Sequence, residues 1–114
     1  MKIELTDKQA NDWLARLEDP NTKRAEGRLR GSSDPEAMCC LGHLADILDS
    51  QAWTKGDMWW SWGDGNLGSG YGLPRVTYRG LPLDQTNMAS VNDYQHRFPI
   101  EEIREWIEEA RAQS

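Results

Sequence analysis

Phenylalanine occurs once in this sequence, and cysteine and histidine twice each. The two cysteines, Cys39 and Cys40, are neighbours. Their Cα atoms sit about 3.8 Å apart, closer than disulfide geometry prefers. No intramolecular disulfide is therefore expected, and two reduced thiols point to a cytoplasmic setting. His43 and His96 are the only imidazoles. A zinc site built on Cys39, Cys40 and His43 lacks an obvious fourth ligand. The expectation is buried thiols acting as small hydrophobes, with no metal and no cofactor. Long apolar runs are absent too, so no stretch has the length of a membrane span. The residues from Met1 to Asp7 carry no apolar core of a secretory signal. Cations are in deficit, 13 Lys and Arg against 19 Asp and Glu, for a formal net charge of −6. That balance argues against direct binding of nucleic acid, whose phosphates require a basic stripe. It does suit a basic protein partner.

Tryptophan is the excess, with six in 114 residues. Indoles must supply much of the buried area of what the length marks as a single domain over 1–114. Thr6 and Gln9 form a capping box. The helix they open repeats Ala10, Trp13, Leu14 and Leu17 at helical spacing until Pro20. A polar stretch over 21–33 follows, with Lys23, Arg24, Arg28 and Arg30 as the one basic patch of an acidic chain. Asp34 and Pro35 suit the start of a second helix. Its stripe would be Met38, Leu41, Ala45 and Leu48, widened by Ala37, Cys40, Leu44 and Ile47. Gly42 in that helix costs about 1 kcal/mol relative to Ala, which predicts close packing there. Residues 52–54, 58–62 and 75–79 read as strands around a Gly-rich loop, 63–72. A short helix over 83–91, an Asn92-Asp93 turn and a final helix carrying Ile100, Ile103, Trp106, Ile107 and Ala110 complete the chain. The expected fold class is α+β, about four helices packed around a small antiparallel sheet.

Three segments stand in a suggestive order: Met38-Cys39-Cys40-Leu41-Gly42-His43-Leu44, Met88-Ala89-Ser90-Val91-Asn92-Asp93, and Phe98-Pro99-Ile100-Glu101-Glu102-Ile103 with Trp106-Ile107-Glu108-Glu109. Their order and spacing resemble a widespread group of small phage and prophage proteins. In that group a Cys-Cys-Leu-Gly helix is followed by a Leu-Asn-Asp turn and a terminal Phe-x-Glu-Ile-type helix. The resemblance covers most of the chain except its Trp- and Gly-rich middle. The chain departs from the pattern with Val91 before Asn92 and with Pro99 near the last helix. The resemblance implies a bacteriophage setting in the host cytoplasm. Among such accessory proteins it implies an anti-defence role, either sequestering a nucleotide-derived immune signal or binding and blocking an immune protein.

The residues themselves suggest where a ligand would sit. Arg75 and Arg79 flank Tyr78 just past the Gly-rich loop, and arginine pairs with phosphate bidentately. Arg28 and Arg30 are the second source of charge. On a strand, Trp59 points away from the face shared by Met58, Trp60 and Trp62, and Tyr71 lies in the loop. These two are the stacking candidates, at about 1–3 kcal/mol per base. The Gly-rich run has no following Lys-Ser/Thr and no helix, so it is neither a Walker nor a Rossmann fingerprint, and it reads as a mobile lid. No nucleophile–base pair stands out, so no catalytic residue is expected. The expected function is sequestration of a nucleotide-type small molecule by Arg28, Arg30, Trp59, Tyr71, Arg75, Tyr78 and Arg79. A homo-oligomer in which arginines converge across subunits would offset the net charge. The alternative is a protein-binding inhibitor of a host immune factor, using the acidic final helix as a DNA mimic or an exposed Trp.

Overall fold

The computed structural model describes residues 2–58, 60–63 and 73–113. Trp59, Tyr71 and all but Gly63 of the lid expected over 63–72 lie outside the described residues. In chain order the elements are β1 (Lys2–Leu5), α1 (Asp7–Glu18), α2 (Cys40–Leu48), β2 (Trp53–Lys55), β3 (Trp60–Trp62), β4 (Arg75–Tyr78), β5 (Leu81–Pro82), α3 (Gln85–Tyr94) and α4 (Ile100–Ala112). The class is α+β, as expected. The single antiparallel sheet is not what forms. Among the described residues, β2 and β3 make an antiparallel pair of their own, while β1, β4 and β5 make a mixed sheet in that order. Within it β1 runs parallel to β4, with Ile3 opposite Val76. Thr77 on β4 donates its hydroxyl to the Glu4 carboxylate on β1. Arg79 and Gly80, both at positive φ, form the two-residue turn into β5, the backbone that short hairpins favour.

Helix α1 begins as its capping box requires. Gln9 N donates to Thr6 Oγ1 at 3.0 Å, and Thr6 N donates to Gln9 Oε1 at 2.9 Å. Its buried face, Ala10, Trp13 and Leu17, packs on α2 and α4. Trp13 donates its indole N–H to the Cys40 carbonyl at 2.8 Å and meets Trp106 edge to face at 6.3 Å. Trp106 in turn donates to the Pro82 carbonyl at 3.0 Å. The core indoles are thus apolar bodies with satisfied polar handles.

Two helix boundaries differ from expectation. Helix α2 starts at Cys40 rather than near Asp34, and its N-cap is Cys39, whose Sγ accepts from Gly42 N at 3.4 Å. The preceding residues are committed elsewhere. Met38 bridges both Arg24 and Arg30 through its backbone, and Cys39 N donates to the Leu29 carbonyl at 3.1 Å. The 21–38 loop is therefore a strap laid across α2. Gly42 is where they touch: a Cβ there would sit 1.8 Å from the Leu29 carbonyl oxygen. Asn92-Asp93, expected as a turn, lies inside α3. Asn92 spends its side chain on distant backbone instead of its own. Its Oδ1 accepts from Cys40 N at 3.2 Å and its Nδ2 donates to the Ala25 carbonyl at 2.8 Å.

Candidate functional site

The strap, the last turn of α1 and one face of α2 border an open, shallow cleft of about 390 Å³, lined by Arg16, Lys23, Arg30, Met38, His43 and Asp46 together with neighbouring strap residues. His43 and Asp46 are three apart on α2 and so share a face. Asp46 is the hub. Its Oδ2 accepts from Arg16 Nη1 at 2.8 Å, and its Oδ1 accepts from the Trp53 indole at 3.0 Å. Burial pushes the Asp46 carboxyl up, but the hydrogen bonds from Arg16 and Trp53 outweigh it, and the group stays below its ordinary range and ionised.

Arg30 lies on the hairpin. Its guanidinium carbon is 4.4 Å from the Trp60 ring centre and 5.1 Å from that of Trp53. The two rings meet nearly at right angles, so the guanidinium has aromatic surface on two sides. Arg30 Nε donates to the Pro35 carbonyl at 2.7 Å. Its two terminal nitrogens carry no hydrogen bond among the described residues. Lys23 adds a third cation, held loosely by Asp34 and Glu36 at 3.2 and 3.4 Å. Such exposed pairs are weak.

His43 is only 3% exposed. Burial depresses its pKa, so the ring is neutral at pH 7. Its Nε2 lies 2.8 Å from the Lys23 carbonyl. That contact requires the proton on Nε2 and leaves the lone pair on Nδ1. Nδ1 and Trp60 Nε1 are the two buried side-chain polar atoms without a partner among the described residues. Both belong to residues at this cleft or directly under Arg30. Buried polar atoms without a partner are uncommon, and an ordered water or a ligand group satisfies them equally.

The thiols are not part of the cleft lining. Cys39 and Cys40 are buried. Burial pushes the Cys39 thiol up to about 11 and that of Cys40 well above its ordinary value, so neither is a thiolate at neutral pH. Among the described residues, no three His, Cys, Asp or Glu side chains gather as a metal-ligand set. No described helix is long and apolar enough to cross a membrane.

Of the expected site residues that the structure describes, Arg30 alone lines the cleft. Arg28 is exposed and donates to Ser32 Oγ at 2.7 Å. Arg75 is exposed at the start of β4. Tyr78 is fully buried against Trp106, at 5.9 Å between ring centres. Its hydroxyl donates to Asp7 at 2.7 Å and accepts from Arg111 at 2.9 Å. Tyr78 is thus a core residue and not a stacking platform. Arg79 pairs with Asp7 and serves the β4–β5 turn. Trp59 and Tyr71 lie outside the described residues. Arg16 and Asp46 carried no ligand signal in the sequence, because no local spacing connects the end of α1 to the middle of α2, and His43 carried one only with Cys39 and Cys40, as a metal ligand. Lys23 did have a ligand signal, as a member of the basic patch. Comparison of the chain with protein-family models, with curated proteins and with solved structures gives no match.

Proposed function

We propose that this chain is a binding protein for a nucleotide-type anion. In the phage setting that its sequence resemblance implies, it would sequester a nucleotide-derived immune signal. The observation that carries this reading is Arg30. A half-buried guanidinium lies against two indoles and is tied through Nε to the Pro35 carbonyl, with its terminal nitrogens unclaimed by described residues, beside Arg16 and Lys23. A pre-oriented planar fork is what bidentate phosphate recognition needs, and fixing it beforehand lowers the ordering cost of binding. The cleft volume falls in the lower part of the range for small-molecule sites, roughly 300–1,000 Å³, and suits one nucleotide unit. Pro35 and Met38 supply apolar lining among the charges.

Calorimetry against mononucleotides, cyclic dinucleotides and adenosine diphosphate ribose tests this. Binding to at least one is expected. Arg30→Ala should weaken it by about 1.5–3 kcal/mol, the worth of charged hydrogen bonds. The bound compound should be released intact when the protein is heated. A second reading, docking on a host immune protein, has its own observation: Met58 and Tyr94 are 71% and 80% exposed. No nucleotide binding, together with a host partner whose association is lost on Tyr94→Ala, would replace the first reading with the second.

A further inference from the structure

We propose that Asp46 is a resident counter-ion of the cleft, exchanged at Arg16 for an anionic group of the ligand, and that this exchange selects diphosphates over single phosphates. The inference rests on the cleft being the ligand site.

Three cations line the cleft, Arg16, Lys23 and Arg30, and two carboxylates line it with them, Glu36 and Asp46. Those carboxylates differ in how firmly they are held. Glu36 is largely exposed and reaches Lys23 at 3.4 Å. Asp46 is much less exposed, at 19% of its side chain, and meets Arg16 at 2.8 Å. Its other oxygen is tied to the Trp53 indole, whose ring also faces the Arg30 guanidinium. One carboxylate therefore sits on the path joining Arg16 to Arg30.

This placement has a consequence for any incoming anion. A single phosphate that takes Arg16 from Asp46 exchanges one anion for another at that guanidinium, with little net gain. Asp46 cannot retreat far, because Trp53 still holds it, so its charge stays close and opposes the newcomer. A diphosphate gains more from the same exchange. One phosphate replaces Asp46 on Arg16 while the other reaches the terminal nitrogens of Arg30 or the Lys23 ammonium. The class of ligand that overcomes the resident charge is thus a nucleoside diphosphate or another nucleotide with a pyrophosphate link.

The probes are inorganic phosphate and inorganic pyrophosphate, titrated calorimetrically into the full chain. The wild-type protein should bind pyrophosphate more tightly than phosphate. Asp46→Asn keeps an acceptor for the Trp53 indole and removes the charge. It should bind both probes about tenfold more tightly, the scale of one like charge removed from a partly buried site, with a smaller preference between them. Unchanged or weaker pyrophosphate binding by Asp46→Asn, with binding still lost on Arg30→Ala, would overturn the counter-ion and leave the cleft reading intact. Failure of both wild type and Asp46→Asn to bind either probe would overturn both. Should Asp46→Asn fail to fold, Arg16→Gln decides. It should weaken pyrophosphate binding as strongly as Arg30→Ala does, and undiminished binding there overturns the proposal.

Discussion

Gly42 and Asn92 are the two residues on which the strap depends. At Gly42 the backbone of Leu29 comes so close that a Cβ would lie 1.8 Å from its oxygen and 2.8 Å from its carbonyl carbon. Backbone cannot rotate out of the way as a side chain can. Gly42→Ala should therefore destabilise the protein by about 1–3 kcal/mol or more, the usual range for forced overpacking, seen as a lower urea midpoint. Arg30 follows Leu29 directly, so the same substitution should also weaken ligand binding. Asn92 is fully buried and satisfies Cys40 N and the Ala25 carbonyl together. Asn92→Ala strands both, at about 1–3 kcal/mol for each buried group left without a partner. Thermal unfolding would read the loss. A melting temperature equal to that of the wild type would mean that water replaces the amide. The Cys-Cys-Leu-Gly and Asn-Asp segments quoted for the phage resemblance thus meet in space and anchor one loop.

At the level of elements, helices with complete local signals appear where the sequence places them. The α1 capping box is one such signal. Thr6→Ala should cost about 1 kcal/mol, as N-cap losses do, and should raise hydrogen exchange in the first turn of α1 without altering α4. Helix α4 buries Ile103, Trp106, Ile107 and Ala110 on the face that their spacing predicts. Helix α2 shows the limit of such signals. Asp34 and Pro35 are good starting residues, yet the helix waits for Cys40 because the backbone around Met38 pairs with the strap. Strand β1 has only a short local signal, charged Lys2 and Glu4 alternating with apolar Ile3 and Leu5. Four such residues become a strand only by pairing with β4, more than seventy residues away. Trp53 and Trp60 were legible as a pair of strands, but not as a seat for Arg30, which reaches them from the strap.

The whole molecule should be stable over a bounded pH range. The folded state lowers the pKa of His43 by burial from an ordinary 6.5. A depressed group contributes stability that is present above its unfolded pKa and lost as pH falls, so an acid limb should begin near pH 6.5. Thr77 and the Gly80 backbone lower Glu4, Arg79 and Tyr78 lower Asp7, and Arg97 lowers Glu102. These carboxylates steepen the acid limb below about pH 4.5. The thiols act with the opposite sign. Burial raises Cys39 from 9.0 to about 11, so its contribution is complete below pH 9 and is lost as pH rises towards 11. The melting temperature should be level between about pH 7 and 9 and fall on both sides. His43→Gln keeps a donor for the Lys23 carbonyl and should abolish the first acid limb while leaving the carboxylate limb. Persistence of the early limb in that variant would assign it to another group.

By itself the sequence determined the α+β class, the extents of α1 and α4, the buried thiols, the tight contact at Gly42 and the excess of indole. Each rests on neighbours within a helical turn or on the chemistry of a single side chain. Only the tertiary structure decided that β1 pairs with β4, that Asn92 clamps a loop instead of turning the chain, and that Tyr78 belongs to the core. It also decided the make-up of the cleft, where Arg16, Arg30 and Asp46 come from three separate stretches of chain. Those outcomes depend on contacts between segments far apart in sequence, whose energies exceed the weak local preferences of the residues involved.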